Sequence, residues 1–101
     1  MKHDDWLHDQ LKDDTFAASF LTFAAKDTEP SVFIAALRHV VDARGGLSKV
    51  ADVGDLSKQS LYKSLPHSGQ GNPTARTMFA ALRATGLTLA FIGADNKPVP
   101  A

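Results

Sequence analysis

Four polar side chains on one short stretch carry the chemistry most readily read from this sequence: Lys58, Gln59, Ser60 and Lys63. Two are cations and one is a primary amide, groups that meet phosphate oxygens and base edges. Leu61 and Leu65 of the same stretch are four apart and face inward on a helix, which leaves the polar set outward. Nothing comparable is available for catalysis. Ser57, Ser60 and Ser64 have no identifiable His and acid partners, and His39 is expected on the outer face of a helix. No paired carboxylates stand in a glycine-lined cleft, so no enzyme and no cofactor is expected. His3, His8, Asp4, Asp5 and Asp9 lie close in sequence, but His3 and His8 are five apart and do not share a helix face as i, i+4 ligands would. A solvated helix face is expected there, and no metal. The PHSGQGNP segment lacks the GK[ST] of a nucleotide-binding loop and reads as a flexible connector, with His67 exposed and idle.

The stretch that positions the polar set is residues 47–65, LSKVADVGDLSKQSLYKSL. Its apolar residues form two clusters, Leu47, Val50 and Ala51, then Leu61 and Leu65, each fitting one face of a short helix. Gly54-Asp55 between them can end a helix through positive φ. Ser57 stands where a cap would start the next helix. Two short helices joined tightly describe a helix-turn-helix, with the small Ala51 at the crossing.

Before this unit, Trp6, Leu7 and Leu11 predict a short helix over residues 4–12. Asp14 is then placed to cap a helix bearing Phe16, Ala17, Phe20, Leu21 and Ala24. Phe23 falls off that stripe and is expected in the core rather than beside Trp6 on a partner face. Pro30 suits the first turn of a helix with Phe33, Ala36, Leu37, Val40 and Val41 inward, closed by Gly45-Gly46. After the connector, Thr74 or Asn72 caps a last helix with Met78, Phe79 and Leu82 as its buried stripe, ended by Gly86. Its free amides, with Arg76 and Thr77 nearby, suit a backbone phosphate. Residues 87–92 alternate as a strand, which has no partner within the chain and is expected to pair with its twin in a dimer, through Leu87, Leu89 and Phe91.

With 101 residues the chain is one modest unit, and its 44% apolar share suits a globular protein. The absence of cysteine excludes disulfides and thiolate metal sites. No run is long enough for a membrane span, and the N-terminus is too acidic for a signal peptide, so a cytoplasmic protein is expected. The net charge of zero hides an asymmetry. Residues 1–30 hold three Lys against six Asp and one Glu, giving −4, and the remainder carries +4. That split keeps nucleic acid among the partners.

The segments DQLKDDTFAASFL, EPSVFIAALRHVVDARGG, LSKVADVGDLSKQSLYKSL and GNPTARTMFAALRATGLTL resemble the HigA-type antitoxins, small proteins described as probable addiction-module antidotes, within the phage-repressor-like superfamily. The more specific marks are Leu61-Tyr62-Lys63 after the serine cap, and Gly71-Asn72-Pro73. The resemblance implies an all-α fold of five to six helices. Residues 1–29 would be an N-terminal helical extension, 30–92 the helix-turn-helix domain with its short C-terminal strand, and 93–101 a tail. It also implies an antitoxin that binds double-stranded operator DNA as a homodimer, represses its own operon and neutralises a ParE/RelE-type toxin. On it, Lys58, Gln59 and Lys63 become the base readers, and Ser57, Ser60, Tyr62, Thr74, Arg76 and Thr77 the DNA backbone contacts. Such toxins are typically basic, and the acidic start of this chain suits one through Trp6, Asp9, Asp13 and Phe23. The alternatives are a stand-alone repressor without a toxin and a helical protein–protein adaptor.

Three departures from the family pattern stand out. The connector is two residues longer, Ala75 replaces a larger apolar residue, and Asp55 stands where Gly is usual. If Asp55 takes the left-handed turn the motif survives. If Gly54 shifts the turn by one, the following helix rotates by about 100°.

Overall fold

The computed structural model describes residues 3–94, whose regular structure is helical. In chain order the helices are α1 (His3–Gln10), α2 (Asp14–Ala25), α3 (Pro30–Ala43), α4 (Gly46–Gly54), α5 (Lys58–Ser64) and α6 (Ala75–Thr85). The cap of α2 is Asp13, one residue before the expected Asp14. Its carboxylate accepts from the amide of Phe16 at 2.8 Å, which satisfies one of the free first-turn amides. Asp14 is thereby released to pair with Arg44. Pro30 opens α3 as its spacing predicts. Gly45, the N-cap of α4, and Gly46, its first residue, both adopt positive φ.

Leu11, Leu37, Val40, Val41, Val50, Leu61 and Leu65 are fully buried and belong to one core. Each contributes about 1.5–3 kcal/mol by leaving water. Leu11, Ala17, Leu21 and Ala24 from the start of the chain join this same core.

The most extensive helix pair is α4 on α6. The two come close at Gly54, where a Cβ would lie 2.6 Å from the Cβ of Ala80. Ala51, expected where α4 crosses α5, is half-buried and packs against the core. Contact with α4 also decides which face of α6 is covered. The buried residues are Thr77, Ala80, Ala81, Leu82, Ala84 and Thr85, and Phe79 is 54% exposed, contrary to its expected place in the stripe. Small side chains let α6 sit close on α4, and this turns the ring of Phe79 to solvent.

The connector between α5 and α6 is not loose. Gly69 is buried with φ +79°, and a Cβ there would come within 2.0 Å of the Ser31 carbonyl oxygen, so the loop is backed onto the start of α3.

Residues 87–92 do not form the expected strand: among the described residues the segment carries a single bridge, at Ile92. No described strand offers it a ladder. Leu89, Phe91 and Ile92 remain exposed along a cleft of about 830 Å³ whose other wall includes Ala18, Leu21, Thr22 and Ala25 of α2. No described helix is long and apolar enough to cross a membrane.

Candidate nucleic-acid interface and partner face

α5 starts at Ser57, whose hydroxyl oxygen accepts from the Ser60 amide at 3.1 Å and lies 3.0 Å from the Ser60 hydroxyl. The turn before it is resolved by Asp55, which takes the left-handed conformation (φ 52°, ψ 51°) as the C-cap of α4, its amide donating to Ala51. The turn therefore does not slip onto Gly54, and α5 begins where the serine cap predicts. Leu61 and Leu65 anchor α5 in the core. Lys58, Gln59, Ser60, Tyr62 and Lys63 are all exposed. None of Lys58, Gln59 and Lys63 makes a hydrogen bond or ion pair within the described residues.

The other end of α5 is held by a side chain that the sequence pattern does not single out. Arg38 of α3 is 7% exposed, and its Nη1 donates to the carbonyl oxygen of Leu65 at 2.8 Å. Its Nε donates to Asp42 Oδ1 at 3.0 Å, and its guanidinium lies 5.4 Å from the centroid of the Tyr62 ring. One buried cation thus satisfies the C-cap of α5 and stands against an aromatic ring on that helix. Asp42 is in turn paired with the His67 Nε2 at 2.5 Å. Burial pushes the Asp42 carboxyl up, but hydrogen bonds from His67 and Arg38, with their charges, outweigh it and hold it below its ordinary value. His67 is therefore exposed but not idle. His39 is half-buried rather than outward, with its ring between those of His8 and His67 at 5.4 and 5.8 Å. Only an i, i+4 Arg–Asp pair is visible in one dimension. The partners at Leu65 and His67 lie 27 and 25 residues away.

The N-terminus of α6 lies beside the turn that precedes α5. Arg76 Nη2 donates to the Gly54 carbonyl oxygen at 3.4 Å, and Thr74 caps α6 by accepting from the Thr77 amide at 3.2 Å. Thr74 and Arg76 are exposed there. Thr77 is not available as a backbone contact: its side chain is buried and hydrogen-bonded to the Thr74 hydroxyl, where it supports the cap.

A second face is formed by α1 and α2. Trp6 is 45% exposed and meets Phe16 edge-on at 6.2 Å, and Phe16 stacks with Phe20 at 6.5 Å. Phe23 continues this row and is 81% exposed, so its expected core placement is overturned. Phe16 and Phe20 are half-buried and pack against the core beside Ala17, Leu21 and Ala24, whereas Phe23 continues their row into solvent. Asp5 and Asp9, one turn apart on α1, are exposed and have no partner among the described residues, whereas Asp13 is occupied as a cap. Arg44 locks this face to the rest of the fold. It donates to the carbonyls of Leu11, Lys12 and Thr85 and pairs with Asp14, joining the α1–α2 junction to the end of α6. Among the described residues no group of three or more His, Asp or Glu is placed to hold a metal ion.

Comparison with curated proteins and with solved structures gives no significant match. Against protein families, residues 3–92 match the model described as probable addiction module antidote protein. That span covers all six helices, both exposed faces and most of the arm after α6, and an antidote implies a toxin partner of some kind. The chain belongs to the family of probable addiction module antidote proteins.

Proposed function

We propose that this antidote is the antitoxin of a type II toxin–antitoxin module that binds its own operator DNA as a dimer, represses its operon and neutralises a basic toxin of the ParE/RelE type. In this reading α4 and α5 are a helix-turn-helix. α5 lies in the major groove, where Gln59 addresses adenine and Lys58 and Lys63 address guanine or phosphate. Ser57, Ser60, Tyr62, Thr74 and Arg76 meet the DNA backbone, with the capped start of α6 adding its free amides. Two copies, paired through Leu87, Leu89 and Phe91, meet half-sites about 34 Å apart or a multiple of that. The exposed acidic and aromatic face of α1 and α2 receives the toxin, which favours an antitoxin over a repressor acting alone.

The observation that carries the DNA reading is the state of α5. Lys58, Gln59 and Lys63 are exposed and unpartnered on a helix clamped at its far end by a buried arginine. A binding measurement on the chain's own promoter DNA tests it. Affinity is expected to fall steeply with salt, by about 10³-fold or more between 50 and 200 mM if six or more phosphates are met. Gln59→Ala should cost about 1–3 kcal/mol and relax the choice of base, while Lys58→Ala should lower affinity and reduce the salt slope if it meets phosphate. Failure of the unaltered chain to bind that promoter at low salt would leave only a protein-binding role.

A further inference from the structure

The row Phe16, Phe20 and Phe23 forms one wall of an open groove of about 680 Å³ between α2 and α3, faced by Val32, Ala35 and His39. We infer that this groove is the docking site for an amphipathic helix of the toxin, one with an apolar stripe flanked by Lys or Arg. The inference rests on the antitoxin reading above and adds where the toxin binds and which element it uses.

Two observations point there. The wall has helical periodicity, with aromatic residues at i, i+4 and i+7 over about 10 Å of axis. A helix laid along the seam of two others presents anchors at that same spacing, which a strand does not. Phe23 and Val32, at one end, are 81% and 41% exposed, a large apolar area for a small protein to leave in water.

Charge chooses the partner. No Lys or Arg lines the groove. α1, whose Trp6 meets Phe16 and whose His8 meets His39 of the groove, carries the exposed Asp5 and Asp9, and the connection leading to Ser31 and Val32 carries the exposed Asp27 and Glu29. Asp5, Asp9 and Glu29 have no side-chain partner among the described residues, so their charge is available to an incoming cation. A second copy of the chain is disfavoured on the same ground, because a two-fold contact here would set acidic rims against each other. As far as Ala94, the arm that follows α6 lines a different cleft, opposite Ala18, Leu21, Thr22 and Ala25 of α2, and none of its described residues lines the groove.

The test uses the full chain and the toxin encoded beside it, with affinity measured for the unaltered pair and for Phe23→Asp, Val32→Asp and Glu29→Lys. Phe23→Asp and Val32→Asp are each expected to weaken binding by about 30-fold or more, as loss of a buried anchor does. Glu29→Lys should weaken it by about 3- to 10-fold at low salt and much less at high salt. For Phe23→Asp and Val32→Asp, melting temperature and promoter binding should stay at the level of the unaltered chain. A photo-cross-linking residue at position 23 should capture a toxin segment with apolar residues at i, i+3 or i+4 and i+7. Toxin that binds both Asp variants within about twofold of the original overturns the groove and leaves the antitoxin reading standing. Toxin that fails to bind the unaltered chain overturns both. Cross-links to a toxin strand or to a second copy of this chain refute the helical occupant.

Discussion

Arg38→Met probes the contact on which the attitude of α5 depends. The replacement keeps an unbranched apolar stem in place and removes every donor of the guanidinium. Two groups then lose their partner. The Leu65 carbonyl oxygen, which receives Nη1 at 2.8 Å in a buried setting, is left unsatisfied at a cost of about 1–3 kcal/mol. Asp42, whose side chain is only 21% exposed, loses its guanidinium partner at 3.0 Å but keeps His67 at 2.5 Å. Breaking a buried pair from one side typically costs about 3–5 kcal/mol, and the surviving His67 contact with the apolar gain from Met brings the expected net loss to about 3 kcal/mol. In urea unfolding at pH 7 this lowers the midpoint by about 2 M with an unchanged slope, and in a thermal scan it lowers Tm by about 15 °C. Pairing with Asp42→Asn closes a double-mutant cycle, in which the combined loss should fall short of the sum by about 1 kcal/mol or more. If α5 reads DNA, Arg38→Met should also weaken promoter binding at a temperature where both proteins are fully folded. A loss below about 1 kcal/mol, or strict additivity with Asp42→Asn, would refute the claim that the guanidinium clamps α5.

The lowered Asp42 carboxyl makes an acid-side prediction with a definite sign. Its stabilising contribution is fully present above its ordinary value of 3.8 and is lost as pH falls through the lower folded value. His67→Ala removes one of the contacts that lower it, so the Asp42 carboxyl should titrate at higher pH in a carbon-detected NMR titration, and the part of the stability that acid removes through Asp42 should shrink. No upward movement would mean that the His67 contact does not persist in solution. At the turn, Asp55→Gly should stabilise the chain by about 1 kcal/mol, because a non-glycine residue at φ 52° carries steric strain that Gly does not. That gain should appear as a Tm rise of about 5 °C, and a fall would show that the Asp55 side chain contributes something beyond the turn.

How much of this was legible beforehand can be followed through particular residues. Ser57, Thr74, Pro30 and Gly86 take the capping and end positions that their local chemistry predicts, because caps depend on a residue's own backbone and an amide two or three positions on. The inward stripes of α3 and α5 follow from 3.6-residue periodicity for the same local reason. The inward stripe of α2 follows it too, with Phe16 and Phe20 packed partly against the core beside Ala17, Leu21 and Ala24. What does not hold is the general preference for burying a large ring: Phe23, off that stripe, stays in solvent. α6 repeats the outcome, with its alanines against α4 and Phe79 outside.

Local sequence determined the six helices, the caps of α5 and α6, and the outward placement of Lys58, Gln59 and Lys63. Tertiary structure alone decided that Arg38 would be buried beneath α5, that Asp42 and His67 would meet across 25 residues, and that the aromatic row of α2 would border an empty groove. The division has one physical cause. Hydrogen bonds and side-chain spacing within a few residues act along the chain and leave a pattern in it, whereas the burial of a charge depends on partners that only close packing brings together.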